Sequence, residues 1–228
     1  MPPPLHGWDL TPTAAVALQK QLAGQLETAH AFPVRDDLLV AGLDVSHARF
    51  SRQLVAGVVV LHYPSFALVA RHCWRGESHF PYVPGLLSFR EAPGLLAAVA
   101  SLSVRPDLFV VDGQGLAHPR RLGLACHLGL WLGRPTFGCA KTLLVGTHAE
   151  LPSPRGASVP LHDRGDIVGA AVRTRTGVKP VYVSPGNLLD LESAVAWTLA
   201  LAPKWRLVEP IRQAHEYVNA ERRSGARR

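Results

Sequence analysis

Asp107-Leu108-Phe109-Val110-Val111-Asp112 runs straight into Gly113-Gln114-Gly115-Leu116-Ala117-His118-Pro119-Arg120. The first stretch reads as a buried strand over 107–112. A carboxylate at the end of such a strand is costly unless something positive meets it. The glycine-rich loop that follows can turn several backbone N–H groups toward a ligand. A strand-end acid beside such a loop is a place to hold a metal ion and a substrate together.

Upstream, Thr11-Pro12 is a capping residue followed by proline at a first helical position, which predicts a helix over 11–30. Val16, Leu18, Leu22 and Leu26 supply its apolar side. Three strands follow, Leu38 to Ser46, Gln53 to His62 and Phe66 to Arg71. The short connections Arg49-Phe50-Ser51-Arg52 and Tyr63-Pro64-Ser65 make them an antiparallel meander. Phe80-Pro81-Tyr82-Val83-Pro84-Gly85 is a loop stiffened by two prolines. Ser88 to Ser101 reads as a helix, with Ser88 and Glu91 in capping-box spacing.

Downstream, a helix is expected from about Pro119 to Trp131, placed by proline at its start. A strand from Thr136 to Ala140 comes next. Residues 147–165 are rich in Pro, Gly, Ser and His and read as a surface excursion. Strands 167–175 and 179–184 flank a Thr176-Gly177 hairpin. Helices over about Leu191–Leu201 and Glu209–Arg222 complete the pattern. Three antiparallel strands, a helix, a parallel strand, a helix and another strand is the order of an α/β, ribonuclease H-like fold, a mixed central sheet with flanking helices. That likeness concerns fold and not function.

This order makes the first strand a neighbour of strand 107–112. Asp44, the only acid in Val40-Ala41-Gly42-Leu43-Asp44-Val45-Ser46, would then stand beside Asp112, with Glu91 reaching in from the helix start. Each acid alone has a plainer reading. Asp44 suits a strand-end turn or an arginine's partner, Glu91 a helix cap, and Asp112 an Asx turn. Three unneutralised carboxylates together would repel one another and shift their pKa values. Mg²⁺ resolves that conflict and prefers carboxylate, water and phosphate oxygen. Two such ions roughly 3.5–4 Å apart form a clamp for in-line phosphodiester hydrolysis.

The chain has 228 residues, 47% of them hydrophobic, enough for a full core and against disorder. Its formal net charge of +7 makes a polyanionic partner plausible, but weakly, because four of the arginines lie in Glu221–Arg228. Cys73, Cys126 and Cys139 are odd in number and fit no zinc spacing, so reduced thiols in a cytoplasmic protein are the expectation. Met1-Pro2-Pro3-Pro4-Leu5-His6 has neither the basic nor the apolar region of a secretory signal. No apolar run would span a bilayer, so no membrane partner is expected.

Val40–Ser46, Pro81-Tyr82-Val83-Pro84-Gly85-Leu86-Leu87-Ser88-Phe89-Arg90-Glu91 and Asp112–Arg120 carry a resemblance over nearly the whole chain. So do Gly123–Gly129, Pro135–Lys141 and Arg206–Arg212. In this order they resemble the endonuclease V family. The resemblance implies one ribonuclease H-like domain over 1–228 with a short basic tail at about 222–228, and a monomer. It implies a Mg²⁺-dependent DNA repair nuclease, with Mn²⁺ able to substitute, acting at deaminated bases in double- or single-stranded DNA. Cleavage would fall at the second phosphodiester 3′ to hypoxanthine, leaving a 3′-hydroxyl and a 5′-phosphate.

By that resemblance Asp44, Glu91 and Asp112 match the catalytic, metal-holding carboxylates. His215 matches a position near the metal and Lys141 a basic residue near the reacting phosphate. Without the resemblance, a helical histidine and a strand-end lysine would be read as ordinary. Tyr82 matches a wedge that enters the duplex, with Pro81 and Pro84 stiffening it and Arg90 and Arg120 beside the DNA. Leu86, Gly113, His118 and Gly123 are expected around the flipped base. His127 is expected there too, or, more simply, as packing. Gln114 stands where relatives often have histidine, and Gly186-Asn187 where some have glycine-histidine.

Recognition can be argued from chemistry alone. Hypoxanthine presents an acceptor at O6 and a donor at N1, so backbone N–H groups and a carbonyl accept it. Adenine would set donor against donor and leave buried groups unpaired. Two other functions compete. An inosine-specific endoribonuclease would require a 2′-hydroxyl beside the scissile phosphate. A non-catalytic sensor of damaged nucleic acid gains nothing from carboxylates beside phosphate.

Overall fold

The computed structural model describes residues 5–48 and 51–225. Thr11 caps α1 (Pro12–Ala23), its hydroxyl accepting from the Ala14 N–H at 3.2 Å. The antiparallel meander comprises β1 (Leu38–His47), β2 (Gln53–Tyr63) and β3 (Ala67–Glu77). Then come α2 (Leu87–Ala100), β4 (Leu108–Val111), α3 (Leu124–Leu132) and β5 (Thr136–Ala140). The rest comprises β6 (Ser158–Asp163), β7 (Asp166–Val172), β8 (Val181–Asn187), α4 (Leu191–Ala200) and α5 (Glu209–Gly225). One eight-stranded sheet runs β3-β2-β1-β4-β5-β8-β7-β6, with β4 parallel to both β1 and β5.

The three central strands are apolar on both faces because helices cover both. Val40, Leu108, Val110 and Phe137 pack with Trp197, Val208 and Ile211 on the α4–α5 side. Ala41, Leu43, Phe109 and Val111 pack with Leu95, Leu96, Leu124 and Leu128 on the α2–α3 side. Alternation with period two sends each strand's residues to the two cores in turn. Gly42 lets α5 lie directly on β1, since a Cβ there would sit 2.1 Å from the Pro210 carbonyl oxygen.

Several expectations need correction. The N-terminal helix stops at Ala23, short of residue 30. β3 continues to Glu77 because it is the edge strand, where Arg71, His72 and Arg75 are admissible and apolar runs are not needed. The Ser88–Glu91 capping box does not form. Leu86 occupies the cap position of α2 without a side-chain bond, and the Ser88 hydroxyl meets His127 Nδ1 at 3.0 Å. The helix expected from Pro119 begins instead at Leu124. Arg121 is left-handed at φ 59° and Gly123 extended, so the chain cannot coil earlier. The 147–165 excursion contains β6, paired with β7. Arg49, Phe50 and the tail residues 226–228, like Met1–Pro4, lie outside the described residues; Arg222 and Arg223 belong to α5. Among the described residues no helix is long and apolar enough to cross a membrane.

Candidate active site

The register places the acids. Leu43 and Val111 are the last pair across β1 and β4, so Asp44 and Asp112 stand side by side just beyond it, Asp44 still paired with Gly57 of β2. The Asp112 N–H donates to the Leu43 carbonyl at 3.0 Å. His215 arrives from above. From Pro210 over Gly42, five helical residues advance about 7.5 Å while two strand residues advance about 6.6 Å. His215 therefore comes level with Asp44, and its Nδ1 lies 2.7 Å from Asp44 Oδ2. Oxygen atoms of Asp44 and Asp112 and a nitrogen of His215 lie within 4.8 Å of one another.

Glu91 stands beside this group, nearly buried in the first turns of α2. Burial pushes its carboxyl up to about 8, and the charges of Asp44 and Asp112 push the same way against Arg90. Asp44 is raised to about 6, first by burial and then by Asp112, with His215 and Lys141 opposing. Lys141, one residue past β5, sets its ammonium 2.5 Å from Asp112 Oδ2. The acids are thus crowded beyond what one lysine and one imidazole offset. An oxygen-led donor set of this kind fits a hard divalent cation held by Asp44 and Asp112.

A hydrogen-bond relay orients Asp44 from behind. Arg222 Nε donates to Ser46 Oγ at 2.9 Å, and that hydroxyl donates to Asn219 Oδ1 at 2.8 Å. This fixes the Asn219 amide, whose Nδ2 faces His215 Nε2 at 3.2 Å as donor. His215 Nδ1 then carries the proton given to Asp44. Such outer partners set a ligand's orientation and basicity. Sequence reasoning missed Ser46 and Asn219 and left Arg222 in the tail. The only signal was the four-residue spacing of His215 and Asn219 on one helix face.

A cavity of about 190 Å³ opens next to Asp112, its walls including Tyr82, Pro84, Gly113, His118, Gly123 and Leu124. Leu87, Ser88 and Leu124 are the first residues of α2 and α3, so two helix N-termini border it, and the N–H groups of these three residues carry no hydrogen bond among the described residues. Gly113, His118 and Gly123 line this cavity, and Leu86 lies buried behind it. The Leu86 and Gly123 N–H groups are already spent, on Val83 and Gly115 carbonyls. Gly123 is required for space, since a Cβ would lie 2.2 Å from the Gln114 carbonyl oxygen. Burial pushes the His118 imidazole down to about 4; its Nε2 faces the Gly85 carbonyl, and its Nδ1 accepts from the Arg120 N–H.

Tyr82 is 71% exposed at the rim, between exposed Pro81 and Pro84. Arg90 does not reach outward. It is buried, donating to the Phe80 and Ser51 carbonyls at 3.2 and 2.7 Å. Arg120 is half-buried and holds Gly85 and Gln19. His127 is buried in an aromatic group with His6, Trp8, Phe89 and Trp131 and does not line the cavity, which it meets only through Ser88 Oγ.

A ribonuclease H-like sheet with carboxylates side by side where its adjoining parallel strands part defines a nuclease. The model of the family described as Endonuclease V matches residues 20–216. An Endonuclease V of Myxococcus xanthus is 51% identical over 97% of this chain and 94% of that protein. The crystal structure of the Endonuclease V of Streptomyces avermitilis is 43% identical, covers 96% of both chains and superposes with a TM-score of 0.92. A Ciona intestinalis Endonuclease V, 25% identical with a TM-score of 0.79 over 91% of this chain and 95% of that one, was crystallised with a 24mer DNA containing an inosine followed by a ribo-adenosine. This chain belongs to the endonuclease V family.

Proposed function

We propose that the protein is a Mg²⁺-dependent repair endonuclease acting at deoxyinosine, with Mn²⁺ able to substitute. It hydrolyses the second phosphodiester bond 3′ to the lesion and leaves a 3′-hydroxyl and a 5′-phosphate. The observation that carries this reading is the acid cluster standing one residue from a cavity with two helix N-termini in its wall. Those N–H groups favour the O6 acceptor of hypoxanthine; the exocyclic amine of adenine would leave them unpaired. Tyr82, held between prolines, fills the gap left by the extruded base.

Asp44, Asp112 and Glu91 would hold the cation, which when bound neutralises the three acids and polarises the water and the phosphate. The protein's own groups do the rest. Lys141 brings positive charge to the reacting phosphate. His215 keeps Asp44 aimed, and the relay through Asn219 keeps His215 aimed. The Ciona substrate, with its ribo-adenosine after inosine, favours one second reading, an inosine-specific endoribonuclease.

The test is a labelled duplex with one deoxyinosine, incubated with Mg²⁺, and the same duplex with one ribonucleotide at the scissile position. A single nick one nucleotide beyond the lesion, directly after its 3′ neighbour, is expected on both. Asp112→Ala should abolish it while inosine binding in Ca²⁺ persists. An uncut all-DNA strand beside a cut ribo-containing one would replace the DNA reading with the RNA one.

A further inference from the structure

Gln19 lies on α1, well away from the acid cluster in sequence, yet only 1% of it is exposed. A buried amide offers two donors and one acceptor oxygen. Here both donors are spent on the cavity's walls and the acceptor on Arg120, which itself holds Gly85. Nε2 donates to the Gly85 carbonyl at 3.0 Å and to the Leu122 carbonyl at 3.1 Å, and Oε1 accepts from Arg120 Nε at 2.5 Å. Gly85 and Leu122 both line the cavity, on the loop bearing Tyr82 and on the loop after Asp112 respectively. One side chain therefore ties the two walls together.

The Gly85 carbonyl is the point of attachment. It receives His118 Nε2 at 3.0 Å and Arg120 Nη2 at 2.6 Å in addition to Gln19. It ends a tight turn closed by the Leu86 N–H on the Val83 carbonyl, with Pro84 second and Gly85 third at φ +77°. Those are the residues a type II turn demands. A substituent on Gly85 would meet the Arg120 guanidinium at 2.7 Å, so the guanidinium and the turn are fitted to one another. Tyr82 projects just ahead of this pinned turn.

We propose that Gln19 is a positioning residue for base selection: it fixes the distance between the Tyr82 loop and the 113–123 loop before substrate arrives. This rests on the reading of the cavity as the base pocket. A pocket set in advance spares the ordering cost at binding. Loss of Gln19 should therefore weaken substrate capture and leave the cutting step alone, because no bond of Gln19 reaches the acids.

The experiment compares the full-length wild type with Gln19→Met, which keeps the shape and donates nothing, and Gln19→Glu, which keeps an acceptor for Arg120 but has no donor for either carbonyl. Amide hydrogen exchange on the free proteins should speed up by tenfold or more in peptides covering 80–87, with β1 and β4 unchanged. On a deoxyinosine duplex, KM should rise about tenfold, the scale of one lost hydrogen bond, with kcat within about twofold. Exchange at 80–87 as slow as in the wild type in both variants overturns the proposal. So does exchange that speeds evenly through the whole chain, or a fall in kcat at constant KM. If the wild type leaves the deoxyinosine duplex uncut, it is the functional reading that fails, and the exchange measurement still judges the pin.

Discussion

Asn219 never touches Asp112, yet its amide decides which nitrogen of His215 carries the proton that Asp44 receives. Removing it frees the imidazole to rotate or change tautomer. Asn219→Ala should therefore lower kcat on a deoxyinosine duplex by about 10–100-fold, the usual cost of an outer partner in a metal site. Circular dichroism and melting temperature should barely move, because Asn219 is only half-buried and packs in no apolar cluster among the described residues. A kcat within twofold of wild type would show that Asp44 needs no such support. His127 gives a prediction at the same scale with a different readout. Burial, reinforced by His6, pushes it down to about 3 from an ordinary 6.5. A depressed folded-state value means that its contribution is fully present above pH 6.5 and lost as pH falls toward 3. Glu91 acts with the opposite sign, its contribution being complete below 4.5 and lost as pH rises through about 8. The His127 effect is isolated by difference. The stability gap between wild type and His127→Gln should shrink as pH drops from 6.5 to 4, by at most about 1.4 kcal/mol per pH unit. A pH-independent gap would mean that the ring is not held uncharged by burial.

At the scale of elements, the Tyr82 loop and the strand ends do separable work. In the proposed function the loop replaces a stacked base, a task that exists only in a duplex. Tyr82→Ala should raise KM for a deoxyinosine duplex by about tenfold or more, unstacking costing a few kcal/mol, while a single-stranded substrate changes little. Equal losses on both substrates would make Tyr82 a pocket wall and no wedge. The loop was legible in sequence because Pro-Tyr-Val-Pro-Gly has few conformations open to it. The meander and the parallel strands were legible too, since burial on both faces demands long apolar runs and β1, β4 and β5 have them. β6 was not. It is an edge strand with Pro160 in it and only Leu161 buried, so it lacks both alternation and apolar density. The start of α3 was misplaced for a related reason. Pro119 satisfies the local preference for a helix start, but the chain from 119 to 123 is committed to shaping the pocket, and tertiary contacts prevail over propensity. Asp44, Glu91 and Asp112 could be named from strand ends and spacing. Gln19 and Asn219 could not, since a glutamine or asparagine on a helix becomes informative only when the atoms it reaches are known.

For the molecule as a whole, the charge of +7 overstates what faces nucleic acid. Many arginines are occupied internally: Arg121 and Arg164 with Asp163, Arg212 with Glu209 and Glu216, Arg75 with Glu221. Arg173 and Arg206 are spent on backbone carbonyls. Arg105 and Arg134 carry no hydrogen bond or ion pair among the described residues, but they line a cavity where β4 and β5 begin, the end of the sheet opposite Asp112 and Lys141. At the acid end, Arg52 lines the cavity on the outer side of Tyr82, and Lys20 lies beside Arg120. With Lys141, and with Arg120 left out because it is spent on Gly85 and Gln19, this gives a footprint of about three phosphates. Each neutralised phosphate contributes roughly 0.9 to the slope of log affinity against log salt. Binding to a deoxyinosine duplex in Ca²⁺, followed by fluorescence anisotropy across a salt series, should give a slope of about −2.7. Arg52→Ala should bring that slope about one closer to zero and weaken binding to damaged and undamaged duplexes alike, whereas Arg134→Ala should change neither. A slope shifted by Arg134→Ala would place nucleic acid at the wrong end of the sheet for the acids to reach, and would sink the footprint argued here.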